Sequence, residues 1–420
     1  MTNADLAPPK SPTYQADAID SVVRPTVIPP GKPSPRPATS QRELRLDLFR
    51  GLALWLIFID HVSPDLLTWL TIRNYGFSDA AEIFIFISGY TAALVYGRAT
   101  YESGFLIGTA RVLRRVWQIY TAHLLLFLVL MAEISYVTVL TGSRFYVQEM
   151  GITQFLTDPG AATIQALLLR FRPLNMDVLP LYVVLMLSLP LVLQLARWQK
   201  DLPLVLAIGL YILTNRLDLH LSTYPNGFWS FNPYAWQLLF VFGAWCALGG
   251  GSRLAPILSF RPTLWIAVGY VLAAFLVTMT WYFPSLESFI PARVAQAIYP
   301  IDKTDLDLLR FLHFLALATI AVRLMPSGWV GLGSPWLKPL ILCGQYSLQI
   351  FSLGVALAFA GYALLTETSA GWLLHVLVGI AGIVIMYGCA RVFTWYKWAL
   401  IGRGRATEPA SVSVLTAQTP

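Results

Sequence analysis

The stretch Arg42-Glu-Leu-Arg-Leu-Asp-Leu-Phe-Arg-Gly-Leu-Ala-Leu-Trp-Leu-Ile-Phe-Ile-Asp-His61 decides the fold. It is long and apolar enough for a membrane-crossing helix, yet it carries charge where lipid tolerates little. A bilayer needs about 20 mostly apolar residues per helix. From residues 44–64 onward the chain offers further stretches at 80–97, 115–140, 178–196, 202–220, 235–251, 262–283, 306–325, 339–363 and 372–398. The expected fold is therefore all-α, a polytopic membrane protein with about ten transmembrane helices. Composition agrees, with 56% hydrophobic and 12% charged residues among 420, about half the usual charge density. The chain has 14 Trp, 19 Tyr and 23 Phe, which suit membrane interfaces. These figures exclude a soluble enzyme and a disordered chain.

More Lys and Arg lie in the segments that are cytoplasmic if the N-terminal tail is inside, including Arg42, Arg45, Arg98, Arg197 and Lys338. This bias predicts both termini in the cytoplasm. Residues 1–41 form a Pro-rich tail, with nine prolines in the first 40 positions, and are expected to be a disordered cytoplasmic segment without a cleavable signal. Residues 42–400 form the transmembrane domain and 401–420 a cytoplasmic C-terminal tail. A sequence pI near 9.3 could suggest nucleic acid, but no basic run occurs, so no nucleic-acid partner is expected. Cys246, Cys343 and Cys389 are far apart in apolar runs, and neither a disulfide framework nor a metal site is predicted. Loops placed outside, such as 224–233 with its Tyr, Phe, Trp and Asn residues, would suit either a carbohydrate ligand or interfacial anchoring.

The first helix carries the chemistry. Arg50 and His61 are eleven residues apart, hence roughly 16 Å along a helix axis and within about 20° of one face. Pro64 predicts that the helix ends or kinks just beyond His61. Asp60 projects about 100° from His61, whereas Glu82, near the outer start of the second helix, sits at a depth from which it could orient the imidazole. Arg111 and Arg114 share a helix face, beside Arg115, and form a guanidinium site suited to phosphate oxygens. His220 and His375 fall near helix ends and read as interfacial, while His123 and His313 lie within helices. No metalloprotease, serine-hydrolase, Walker or dinucleotide motif occurs.

These residues resemble the acyltransferase-3 superfamily. Its first-helix Arg and His are matched by Arg50 and His61, and its third-helix Arg-x-x-Arg by Arg111 and Arg114. A second-helix motif is answered by Phe84-Ile-Phe-Ile-Ser-Gly-Tyr90, and a late one by Gly344-Gln-Tyr-Ser-Leu-Gln-Ile-Phe351. The run Leu46-Asp-Leu-Phe-Arg-Gly through Asp60-His61, then Arg73-Asn-Tyr-Gly-Phe-Ser-Asp-Ala-Ala-Glu82, is more similar to the OpgC subgroup, which succinylates osmoregulated periplasmic glucans. One departure is Gly354, in the region where the superfamily often has a His.

The resemblance implies a multi-pass enzyme of the bacterial inner membrane, with residues 42–400 as its acyltransferase domain and membrane lipids around it. It would take a succinyl group from cytoplasmic succinyl-CoA as co-substrate, without a metal, and deliver it to hydroxyls of a periplasmic glucan. His61 would act as general base or transient acyl acceptor, with Glu82 and Asp60 beside it. Arg50, Arg111, Arg114 and Arg115 would hold the CoA. Arg73, Asn74, Asp79 and Arg310 are expected on the acyl and acceptor side, together with Gln345, Tyr346 and Ser347 as hydrogen-bond donors to the developing oxyanion. An O-acetyltransferase of the same superfamily is an alternative. A proton-coupled secondary transporter is another, with Arg50, Asp60, His61 and Glu82 as a relay. The charge is concentrated in the first three helices, without the matching broken helices that transporter halves need.

Overall fold

The computed structural model describes residues 41–63, 66–326, 328–368 and 371–406; the expectations for the N-terminal tail, for Pro64 and for residues from 407 onward lie outside them. Among the described residues every regular element is helical, apart from an isolated bridge between Ser222 and Phe228. The helices that cover the apolar stretches are α1 (Gln41–Val62), α2 (Ala80–Ser103), α3 (Phe105–Thr141), α4 (Val178–Trp198), α5 (Leu202–Leu217), α6 (Pro233–Trp245), α7 (Gly251–Ser259), α8 (Arg261–Tyr282), α9 (Leu308–Leu324), α10 (Lys338–Gln345), α11 (Ser347–Glu367) and α12 (Trp372–Ala406). Each of the ten apolar stretches is helical. Among the described residues, seven helices are long and apolar enough to cross a membrane, α6 and α7 counting as one span through a π turn at Cys246–Gly250. The stretches in α1, α5 and α9 are helical too, but α1 bears the charges quoted above, and α5 and α9 have only 16 and 17 residues.

Two close crossings set the bundle. A Cβ at Gly51 of α1 would stand 1.9 Å from the Leu340 carbonyl oxygen of α10, and one at Gly344 would stand 1.9 Å from that of Asp47. Gly89 of α2 and Gly243 of α6 face each other in the same way, their would-be Cβ atoms 1.9 Å from the Phe240 oxygen and 2.2 Å from the Phe86 oxygen. Only glycine permits backbones to approach so closely, and in lipid such van der Waals packing replaces the hydrophobic drive between helices. The first crossing fixes the register of α1 against α10 and α11. The second seats α2 beside α6.

The core lies among α1, α2, α3, α4, α6 and α11, where Leu54, Phe58, Ile85, Ile119, Leu130, Trp236 and Phe351 are buried. The lipid-like faces lie at the periphery, where α8 exposes Trp265, Ile266 and Leu276, and α12 exposes Trp372, Ile380 and Val384. At its 37 residues, α3 spans about 55 Å, well beyond a 30 Å hydrocarbon core. Arg111, Arg114 and Arg115 sit within its first turns.

Candidate active site

His61 occupies the last turn of α1. It lines a narrow, largely apolar cavity with Leu54, Phe58, Phe351, Gly354 and Asn175. Gly354, the departure noted in the sequence, thus stands beside His61 and opens room that a side chain would fill. Among the described residues no hydrogen bond holds the imidazole. The charged groups within electrostatic reach of it are Lys303, Arg73 and Asp79. Asp60 is buried and turned elsewhere, accepting a 2.6 Å hydrogen bond from Thr71 Oγ1. Two residues past His61, the buried Ser63 hydroxyl lies 2.6 Å from Nδ1 of His375. His375, in the first turn of α12, therefore ties that helix to the end of α1.

Glu82 is not free to orient His61. Asp79 caps α2: its side chain accepts from the Ala81 amide at 2.8 Å, while the Asp79 amide donates to Glu82 Oε2 at 2.9 Å, a reciprocal capping box. The remaining Glu82 oxygen, Oε1, accepts from Arg310 Nε at 2.9 Å and lies 2.6 Å from Nη2. Arg310 Nη2 also reaches Asp79 Oδ2 at 3.3 Å, and Lys303 Nζ reaches the same oxygen at 2.6 Å. Glu82 is fully buried and Arg310 nearly so. Burial alone would raise the Asp79 pKa, but the Lys303 ammonium and the Arg310 guanidinium hold this carboxyl well below the usual carboxylate range. The expected histidine partner and the expected acyl-binding Arg310 are thus each other's counter-ions. Asn74 is likewise engaged, donating to Thr68 Oγ1 at 3.1 Å and accepting from the Tyr282 hydroxyl at 2.7 Å. Arg73 is exposed and, among the described residues, has no ion-pair or hydrogen-bond partner.

The other end of α1 is arranged differently. Arg50 donates to the Thr91 hydroxyl of α2 and lies 3.7 Å from Asp47, with Arg115 and Tyr182 within electrostatic reach. Arg115 Nη1 donates to Gln118 at 3.2 Å. Arg111 and Arg114 are exposed and without counter-ions among the described residues. Arg50 and Arg115 thus come together from α1 and α3, and Arg111 and Arg114 share the first turns of α3 with Arg115.

Gln345, Tyr346 and Ser347 do not reach His61. The contact of Gly344 with Asp47 places this α10–α11 junction beside the Arg50 end of α1. Asp47 and His61 are fourteen residues apart in one helix, about 21 Å. Gln345 is exposed there, and Tyr346 packs its ring 5.6 Å from Phe393. An oxyanion role beside His61 does not fit this placement. Sequence reasoning passed over Asn175, which the fold brings to the His61 cavity from a distant loop, and Lys303, which pairs with Asp79 within electrostatic reach of His61; no local pattern marks either. One group gathers three donors of the kind metals use, Asp218, His220 and Asp305. His220 Nε2 lies 2.9 Å from Asp218, and Asn232 donates to Asp305 at 2.7 Å.

The fold and site define a polytopic helical membrane protein whose first helix carries a basic site near its middle and a histidine cavity at its end. The OpgC family model, described as OpgC protein, matches residues 42–398, and the chain belongs to that family. Membership implies an acyltransferase that modifies osmoregulated periplasmic glucans. No curated protein and no solved structure matches the chain.

Proposed function

We propose that the protein moves a succinyl group from succinyl-CoA in the cytoplasm to hydroxyls of a periplasmic glucan, with both termini cytoplasmic and the His61 end outward in the bacterial inner membrane. The observation that carries this reading is His61 itself, an imidazole with no hydrogen bond among the described residues, lining a cavity on the same helix as Arg50 and eleven residues from it, about 16 Å along the axis. His123 is buried in α3 with neither ring nitrogen hydrogen-bonded among the described residues, so what sets His61 apart is the cavity it lines and its place on one helix with Arg50.

A sugar hydroxyl is a weak nucleophile near neutral pH, so its proton must leave as the carbon–oxygen bond forms. In direct transfer His61 accepts that proton while the hydroxyl oxygen attacks the thioester carbonyl carbon. The carbon–sulfur bond then breaks and the departing thiolate takes the proton from the imidazolium. If His61 is acylated first, a ring nitrogen bonds the carbonyl carbon as the carbon–sulfur bond breaks and the thiolate takes the ring proton; the hydroxyl oxygen then bonds that carbon as the nitrogen–carbon bond breaks, and the freed imidazole takes the hydroxyl proton. Arg111, Arg114 and Arg115 suit the phosphates of CoA, with Arg50 next to them. Because Arg310 is already committed to two carboxylates and Lys303 to Asp79, Arg73 is the cation left for the free carboxylate of the succinyl group. Three-cornered competition among succinyl-, acetyl- and malonyl-CoA as donors to glucan tests the reading, with succinyl transfer expected to be fastest. Equal use of acetyl-CoA would favour the acetyltransferase alternative.

A further inference from the structure

The loop entering α4 is built with unusual firmness for a surface connection. Pro173, Leu174, Asn175 and Met176 form a tight turn closed by Met176 N–H donating to the Pro173 carbonyl at 3.3 Å. Asn175 takes its third position at φ 70°, a left-handed conformation that turns of this kind require and that Asn and Gly adopt at little cost. The turn is bracketed by an ion pair, Arg172 Nε to Asp177 Oδ1 at 2.6 Å, both side chains largely buried. The Arg172 guanidinium also donates to the Leu169 carbonyl at 3.0 Å and lies over the Trp229 ring, 4.6 Å from its centroid. The Leu174 amide donates to the Met150 carbonyl at 3.1 Å, and Phe171 and Met176 anchor either side in the core. All this fixes the position of one residue whose own side chain has no hydrogen bond among the described residues. Asn175 is that residue, and it lines the His61 cavity. The cavity is otherwise apolar there: Leu54, Phe58, Phe351, Gly354 and Val355 offer no side-chain donor.

From this juxtaposition we infer that the Asn175 carboxamide donates its N–H to the thioester carbonyl oxygen during acyl transfer at His61, serving as the oxyanion donor of the reaction. The inference rests on the acyl-transfer reading above. When the hydroxyl oxygen bonds to the thioester carbon, the carbonyl π pair moves onto oxygen. Asn175 hydrogen-bonds that oxygen, and the pair returns to form the new ester carbonyl as the carbon–sulfur bond breaks. The proton passes through His61 as before, so Asn175 gives up none. A preorganised donor in an apolar, water-poor cavity acts on the charge that develops only in the transition state, so it raises kcat more than it lowers KM. It also fills the role that Gln345, Tyr346 and Ser347 are too distant to fill.

The test uses the full chain in detergent, with labelled succinyl-CoA and periplasmic glucan, and compares wild type with Asn175→Asp, Asn175→Gly and His61→Ala. Both Asn175 variants keep a residue that accepts left-handed backbone. Asp exchanges the N–H donor for an acceptor of the same shape, and Gly removes it. The expected result is a loss of kcat of about 10²- to 10³-fold in both, with donor KM within about threefold of wild type and thermal unfolding unchanged. Turnover of both variants within threefold of wild type, with His61→Ala inactive, would overturn the role of Asn175 and leave the acyl-transfer reading intact. A loss that follows a lowered unfolding temperature and disappears on cooling would assign Asn175 to the fold alone and overturn the inference. No transfer by the wild-type protein would overturn both.

Discussion

The two ends of α1 hold charge in opposite ways. At the His61 end, Asp79, Glu82, Arg310 and Lys303 form a closed network in which two carboxylates meet two cations at 2.6 to 3.3 Å. At the Arg50 end, Arg50, Arg111, Arg114 and Arg115 are answered among the described residues by one carboxylate, Asp47, at 3.7 Å. A buried pair whose members satisfy each other holds elements in place, because removing either leaves an uncompensated charge. Guanidiniums in excess of their carboxylates have capacity left for an external anion. The closed end therefore builds the scaffold around the histidine, and the open end is suited to receive the donor.

The comparison breaks most visibly in stability. Glu82→Ala leaves the buried Arg310 without its main partner and should cost about 3–5 kcal/mol, read as a large drop in the unfolding temperature of the detergent-solubilised protein, whereas Arg111→Ala should leave that temperature within a degree or two. If Glu82→Ala unfolds like wild type and loses only turnover, the carboxylate acts in the reaction after all. The complementary test is at the open end. Arg111→Ala combined with Arg114→Ala should raise the succinyl-CoA concentration for half-maximal rate tenfold or more, equivalent to about 1.4 kcal/mol, with the glucan dependence unchanged; an unchanged donor dependence would remove the CoA role. A smaller shift is expected from Arg73→Ala, which should reduce the preference for succinyl- over acetyl-CoA severalfold with the acetyl rate retained.

The mildest effect is that of pH on the closed network. Asp79 is held below the ordinary carboxylate range in the folded protein, so its contribution is fully present above the unfolded value of about 3.9 and is lost as pH falls toward the folded value. The unfolding temperature should thus not vary with pH through this group between pH 5 and 8, where its contribution is complete, and should decline below about pH 4. Asp79→Asn should flatten that acid decline, and an unaltered decline would place the sensitive group elsewhere.

Much of this molecule was legible in the sequence because it is local. The apolar stretches became helices, and the Arg50–His61 spacing placed the two residues on one helix, Arg50 near its middle and His61 in its last turn. Asp79 and Glu82 also stand at the spacing of a capping box, a pattern available without coordinates. Reading Glu82 by depth alone directed it to His61, and the structure gave it to Arg310, 228 positions along the chain. Gln345 to Ser347 went astray for a related reason: motif order along the chain says nothing of register, which the contact of Gly344 with Asp47 decides. Asn175 had no signal beyond a Pro-Leu-Asn turn, since its meaning comes from a cavity assembled by α1, α11 and a loop.

The most direct measurement is transfer of label from radiolabelled succinyl-CoA to periplasmic glucan by the purified protein, run beside His61→Ala with unfolding temperature and donor binding recorded for both. The predicted result is labelled glucan from the wild type, and a variant that folds and binds donor but is slowed by a factor of 10² to 10⁴, the range a positioned base supplies. Wild-type rates from the folded variant would contradict the account.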